Sequence, residues 1–334
     1  MKKTLRIVLA LIMTVSLTSF AFAAQSGSGR VLTLKLAHGH AAPSMVGLQY
    51  QAFADAVGRL SGGSMKIEQH VGGSLLTDPE TLNGVMDGIV DIVHVMSSFA
   101  SGTVKDIAPL EMYGFYDGND WQGFLAKTRP IMDKVYEPFG VKFLGSAYQG
   151  EIAFICARRQ IVTPDDMRGM TFRSAGTWYG KCVQAFGAAP TALSLADMPT
   201  AFERGTVQGT VVGWNVIVPL ALHQTAKYLS SASAQTYYTN MLMNMGSWNK
   251  LTKEQQDIIM KASLEFEIEA EKIGRKMIAE YIKAAERNGN SIYYLTEAEQ
   301  QRFIDLVRPI YNEMTELSAH GRELMRIVNE ERKR

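Results

Sequence analysis

The chain has 334 residues, 46% of them hydrophobic, and carries 34 basic against 33 acidic side chains for a formal charge of +1. A balance this even, with both signs interspersed, leaves no basic footprint for a phosphate backbone and excludes a nucleic-acid binder. Two cysteines, Cys156 and Cys182, are too few for a disulfide-built scaffold.

The first residues read as an address. Met1-Lys2-Lys3 and Arg6 precede an uncharged run from Ile7 to Ala23, and Ala21-Phe22-Ala23 has the small-x-small pattern of a signal-peptidase site. Residues 1–23 are therefore expected to be a cleavable signal peptide and the mature protein to be periplasmic. The apolar run is short for a membrane span of about 20 residues. No later stretch is apolar enough to cross a bilayer, so the mature chain is expected to be soluble and not itself membrane-spanning. Loss of Lys2, Lys3 and Arg6 takes the formal charge from +1 to about −2. The remaining length, about 310 residues, points to two domains.

Strands and helices then alternate. Val31 to Ala37 reads as a strand, and Pro43-Ser44 opens a helix with Phe53, Val57 and Leu60 on one face. Ser61-Gly62-Gly63-Ser64 stops it; Met65 to His70 is a second strand, followed by a Gly72-Gly73 turn. Asp78-Pro79-Glu80 starts a helix that ends near Gly88, and Ile89 to Val95 is a third, buried strand. A βαβαβ beginning calls for a parallel sheet in an α/β fold. Further along, Val141–Leu144 and Ile152–Ala157 read as two strands and Thr163-Pro164-Asp165-Asp166 as a helix start. Met170 to Ser174 is a strand leading into a helix that carries Trp178 and Cys182. Ser194 caps a helix running to Arg204-Gly205, and Val207 to Val212 is the next strand. The last third is mostly helix. Thr252-Lys253-Glu254-Gln255 is a capping box opening a helix of about 36 residues, some 54 Å long, and Thr296-Glu297-Ala298-Glu299 is another.

No catalytic constellation emerges. There is no nucleophile elbow, phosphate-binding loop or dinucleotide fingerprint. His38-Gly39-His40 offers two imidazoles, but no downstream His or Cys cluster completes a tetrahedral site. His70, His94, His223 and His320 are scattered and read as surface or satisfied core residues. No metal and no cofactor are therefore expected. Cys156 and Cys182 can be read as a bridge or as two buried thiols. Arg173, at the end of a strand beside Ser174-Ala175-Gly176, suits either a bidentate grip on a carboxylate in a cleft or a surface ion pair.

Five segments in order carry a resemblance. Asp165-Asp166-Met167-Arg168-Gly169-Met170-Thr171-Phe172-Arg173 resembles the D-D-L-K-G-L-K-I-R signature of TRAP-transporter solute-binding proteins, the DctP-type family of tripartite ATP-independent periplasmic transporters. Phe186-Gly187-Ala188-Ala189-Pro190 is similar to the family's L-G-A-x-P, and Ala201 to Gly209 to its A-L-Q-x-G-V-V-D-G. Upstream, Ser61 to Ile67 matches S-G-G-x-x-x-I, and Leu82 to Asp91 matches L-x-x-V-x-x-G-x-x-D.

The resemblance implies a two-lobed periplasmic binding protein fold with hinged lobes and a long helix spanning both. By analogy, residues 24–149 with 238–276 form one lobe and 150–237 with 277–334 the other. It implies a monomer that captures a small-molecule carboxylate and hands it to the membrane subunits of a permease, with no chemistry performed. A similar trap serving a sensor kinase and, less readily, a periplasmic enzyme are the rival expectations. Arg173 takes the family's carboxylate-binding position. His38 falls on the loop after the first strand, Asp78 on the turn before the second helix, and Met96, Ser97 and Ser98 after the third strand. Val212, Trp214 and Asn215 follow the V-D-G segment. Departures are Glu151 in the stretch where many members carry a second arginine, Gln208 for the aspartate, and Val211-Val212-Gly213-Trp214 for a glutamate-asparagine-proline run. An aromatic pocket of Trp214, Trp178 and Tyr237 would suit a monocarboxylate with an apolar body; Trp178 and Tyr237 suit packing equally well.

Overall fold

A computed structural model describes residues 31–111, 113–114, 119–195, 197–314 and 316–331. The expected signal peptide lies outside the described residues. The strands are β1 (Leu32–Ala37), β2 (Met65–His70), β3 (Ile92–Met96), β4 (Val141–Cys156), β5 (Thr171–Ser174), β6 (Ala189–Ala192), β7 (Gly209–Gly213), β8 (Tyr228–Asn244) and β9 (Ser291–Tyr294). The helices are α1 (Met45–Leu60), α2 (Thr81–Met86), α3 (Ser97–Ala100), α4 (Trp121–Tyr136), α5 (Gly176–Ala185), α6 (Met198–Glu203), α7 (Trp214–Ile217), α8 (Leu222–Thr225), α9 (Met245–Asn249), α10 (Lys253–Arg287), α11 (Glu297–Asn312) and α12 (Ala319–Glu331).

Hydrogen bonding links the strands in the order β2-β1-β3-β8-β4-β7-β5-β6, with β9 on β8. β1 pairs in parallel with β2 and β3, as the alternating N-terminal pattern predicts. β5 likewise pairs in parallel with β6 and β7. The two parallel groups are joined by β4 and β8, 16 and 17 residues long, which run antiparallel along each other. Their first and last thirds therefore belong to different halves of the molecule. The register slips between Tyr148 and Gly150 and again between Glu151 and Ile152. Extra residues at such slips bend and twist a strand pair, so the connection between the halves bends near residues 148–152.

The two strands expected at 141–144 and 152–157 are thus one, and β8 was not anticipated at all. The start at Thr163 yields a single 3-10 turn, Pro164–Met167, because Gly169 at φ 73° turns the chain into β5. At the second helix the N-cap is Thr77, the residue before Asp78. Thr77 and Glu80 bond reciprocally around Pro79, and a 3-10 turn leads into the short α2.

The long helix is present. Thr252 and Gln255 cap it reciprocally, it runs for 35 residues, and Gly289 at φ 78° follows its end. It packs on α1 and along β4. Phe266 and Ile259 join Phe53, Tyr50 and Leu36 in one core cluster. A larger cluster runs from Val93 and Trp121 through Phe154 to Phe303 without a break between the halves. Glu267 of α10 is buried against Arg129 of α4, 2.5 Å away, and accepts from Ser146 N of β4 at 3.0 Å.

Candidate ligand-binding cleft

In parallel sheets the chain leaves each strand's carboxyl end through a loop or helix, and polar side chains gather there. Here the carboxyl ends of β1 and β3 face those of β5 and β7 across a pocket. From the first group come His40, His94, Met96 and Ser98; from the second, Arg173, Tyr179, Val211, Val212 and Asn215. Gln149, at the bend of β4, and Thr239 and Tyr237 of β8 close it from the joining strands.

Arg173 is the dominant charge. Its strand is flanked by β6 and β7, opposite Thr191 and Thr210, so its backbone has little freedom. The side chain is 2% exposed; Nε donates to Leu193 O at 2.9 Å, while Nη2 has no hydrogen-bond partner among the described residues. Burial pulls its pKa down to about 10, opposed by the nearby Tyr237 and Tyr179 hydroxyls, so it stays cationic at neutral pH. A buried cation with an unpaired donor facing a cavity is costly unless an anion arrives there.

The floor is a chain of buried amides. Asn215 Nδ2 donates to Gln149 Oε1 at 3.1 Å, and Gln149 Nε2 to Gln49 Oε1 at 2.9 Å. Gln49 Nε2 in turn donates to Tyr148 O and Ala270 O, both at 2.8 Å. These bonds tie α7, β4, α1 and α10 together where β4 bends, and fixed amide orientations make Asn215 a directional group.

Six predicted site residues are brought together here: Arg173, Met96, Ser98, Val212, Asn215 and Tyr237. Six do not line this pocket. His38 is fully buried against Tyr50, ring centroids 5.6 Å apart, with burial foremost lowering its pKa to about 4. The loop after β1 is pinned by Gly72 N to His40 O and Gly73 N to His38 O, and it is His40 that reaches the cleft. Asp78 lines a neighbouring opening beside His40. Ser97 is buried, and its Oγ, like that of Ser98, has no partner among the described residues. Glu151 sits at the bend of β4 opposite Thr236. Trp178 faces another opening, with Lys181 Nζ 4.7 Å from its ring centre. Trp214 is a core residue, its indole donating to Ser231 Oγ at 3.2 Å, so the expected aromatic wall is supplied by Tyr179 and Tyr237.

Sequence reasoning passed over Gln149, Tyr179 and His94. His94 is neither exposed nor satisfied: it is 1% exposed and neither ring nitrogen has a hydrogen-bond partner among the described residues. The signal for it was its place in a fully buried strand, where an imidazole needs a reason. Cys156 and Cys182 are both buried thiols with no disulfide between them.

The long strand pair joining two parallel strand groups of one sheet around a buried arginine defines a two-lobed solute-binding fold. Residues 36–317 match the family model described as bacterial extracellular solute-binding protein, family 7, DctP, and the chain belongs to that family. It is 25% identical over 315 residues to the C4-dicarboxylate-binding protein DctB of Bacillus subtilis, covering 92% of this chain and 89% of that one. Among solved structures it resembles an extracytoplasmic solute receptor of Bordetella pertussis that binds pyroglutamic acid, with TM-score 0.82, 18% identity, and 89% and 99% of the two chains covered. It also resembles a TRAP periplasmic solute-binding protein of Ochrobactrum anthropi whose C-terminus occupies the ligand pocket, with TM-score 0.83, 24% identity, and 91% and 97% covered. Members of the family are binding proteins, and among the described residues no helix is long and apolar enough to cross a membrane.

Proposed function

We propose that the protein is a periplasmic receptor that captures a small organic acid between its lobes and delivers it to the membrane subunits of a TRAP permease, performing no chemistry on it. The observation that carries this reading is Arg173, buried and cationic, with Nη2 unpartnered in the cleft. The B. subtilis relative, named for C4-dicarboxylates, and the B. pertussis receptor, which binds pyroglutamic acid, support a carboxylate ligand. The remaining wall is mostly apolar, through Met96, Leu195, Val211 and Val212, and favours an acid with an apolar body over a sugar acid needing many hydrogen bonds.

In this reading the lobes are residues 24–149 with 238–276 and 150–237 with 277–334, and they open about the bend of β4 and β8. Capture is then a population shift: the acid touches both lobes only in the closed form and stabilises that form by its differential affinity. Residues 1–23 direct export and are removed.

The test is thermal unfolding of ligand-stripped protein against a panel of carboxylates, each paired with its neutral amide. At a hundredfold excess over Kd a native-state ligand adds about 2.7 kcal/mol of stability. One acid should raise the melting temperature while its amide does not. Equal shifts from acids and amides would refute carboxylate capture.

A further inference from the structure

Behind the acid site three side chains converge from separate elements. His40 lies on the loop after β1, Asp78 on the turn before α2, and His94 in β3. Asp78 Oδ2 is 3.8 Å from His40 Nε2, Asp78 Oδ1 is 3.8 Å from His94 Nδ1, and one donor atom from each residue lies within 4.8 Å of the other two. The two imidazoles meet edge to face with centroids 5.2 Å apart.

The cluster is built rather than accidental. Asp78 Oδ1 accepts from Gly39 N at 3.0 Å, and a Cβ on Gly39 would come within 2.5 Å of that oxygen, so only glycine lets the carboxylate seat there. Thr81 Oγ1 donates to Asp78 O at 2.8 Å, and the reciprocal Thr77–Glu80 cap holds the turn. His94 is fixed by its strand pairing opposite Met241. It is the buried, unpartnered member, with two ring nitrogens and no hydrogen bond among the described residues. Buried polar groups are almost always bonded, so this imidazole points to something it holds.

We propose that His40, Asp78 and His94 form a divalent-metal site of the zinc type in the wall of the cleft, with its open coordination position facing the bound acid. Two imidazoles and one carboxylate are borderline donors that suit Zn²⁺ and its neighbours rather than Ca²⁺ or Mg²⁺, which take mostly oxygen. Metal–donor bonds of about 2.0–2.1 Å set tetrahedral donors roughly 3.4 Å apart; the two Asp78–imidazole separations of 3.8 Å are close to that, and the three donor atoms, all within 4.8 Å of one another, would draw together by at most about 1.4 Å on binding. Three protein ligands leave the fourth position open, as in sites that take water or substrate. His40 and His94 line the cleft while Asp78 approaches from the neighbouring opening, so that position faces the ligand. The Gly39–Asp78 bond orients the carboxylate in the manner of outer-shell partners. The expectation of a metal-free cleft looked for a clustered His or Cys partner to His38-Gly39-His40; single residues from two other elements supply it instead.

The site's contribution to ligand capture rests on the carboxylate reading; the metal binding itself does not. The experiment uses the full mature chain without a histidine tag, stripped of metal and organic acid and titrated with Zn²⁺, Co²⁺ and Ca²⁺ in calorimetry and visible absorption. Expected are one Zn²⁺ per chain, a visible Co²⁺ spectrum that Zn²⁺ bleaches, and no binding of Ca²⁺. Outer-shell changes alone cost roughly 10–100-fold in metal affinity, so H40A and D78N should each weaken Zn²⁺ by more than about 100-fold while their unfolding stays cooperative. Absence of stoichiometric binding, or binding unchanged in both variants, overturns the site. In a second arm, Zn²⁺ should tighten binding of the panel's acid at least about tenfold, within the roughly 5–150-fold usual for coupling between two bound ligands. Equal acid affinity with and without Zn²⁺ overturns the open-position assignment while leaving carboxylate capture intact.

Discussion

Replacing Arg173 by methionine should make the empty protein more stable and a much weaker binder. The guanidinium is 2% exposed, and burial lowers its pKa from the ordinary arginine value to about 10. At about 1.4 kcal/mol per factor of ten, that drop corresponds to a cost of roughly 3 kcal/mol for holding the charge in the closed cleft. The sign follows from linkage. Folded and unfolded states are both protonated below pH about 10, so the full cost is present at neutral pH and is relieved only above that value. Methionine is shorter but keeps much of the apolar volume without the charge, and buried charges replaced by apolar groups are often neutral or stabilising. Loss of the Nε bond to Leu193 O takes back about 1 kcal/mol. The net gain is about 2 kcal/mol in the closed form and less when the lobes open and rewet the site. Urea unfolding at pH 7 without ligand measures it. Acid binding should weaken by about 2–5 kcal/mol, from roughly 30-fold to several thousand-fold. A variant less stable than its parent would make Arg173 a structural residue, and unchanged acid affinity would refute the reasoning outright.

Gly176, at φ 75°, lies at the junction of α3 and α5, where an added Cβ would stand 2.7 Å from Ser98 O. Gly176→Ala should cost about 1–2 kcal/mol in backbone strain and, with Ser98 and Gly176 in different lobes of the proposed division, weaken acid binding further; titration calorimetry with unchanged affinity would contradict this. Glu267→Ala leaves Arg129 and Ser146 N without their buried partner and should destabilise by about 3–5 kcal/mol in urea. Burial, opposed by Arg129, raises the Glu267 pKa. The parent's stability from this group is thus full at low pH and falls as pH rises through the raised value, a dependence the variant should lack. Without reductant, a thiol reagent should find no reactive cysteine in native protein and two after denaturation, since Cys156 and Cys182 are buried and unbridged.

The parts legible from the sequence were those governed by local rules. The βαβαβ start follows from alternation and glycine turns, and the long helix from the Thr252–Gln255 cap and Gly289. β8 was hidden because its middle is polar. Ser230, Ser231 and Asn240 are buried in it, and their hydroxyls and amide are bonded by distant groups, Gln160, Trp214 and Tyr136. A strand whose polar residues are paid for by tertiary contacts has no apolar alternation to detect. β4 was read as two strands because Gly145, Gly150 and Glu151 interrupt its pattern at the bends that join the halves. At the cleft, Arg173 was visible from its strand end. The pairing of His40 with His94, and of Asn215 with Gln149, depends on how separate strands are laid side by side, which no single stretch encodes.

The most direct measurement of the central claim is a crystal structure of the protein with the acid that the melting panel selects. The account predicts closed lobes, with a ligand carboxylate oxygen within hydrogen-bond distance of Arg173 Nη2 and the ligand body against Val211 and Val212. Density for the acid outside this cleft, or a neutral part of the ligand at Arg173 with its carboxylate elsewhere, would contradict it.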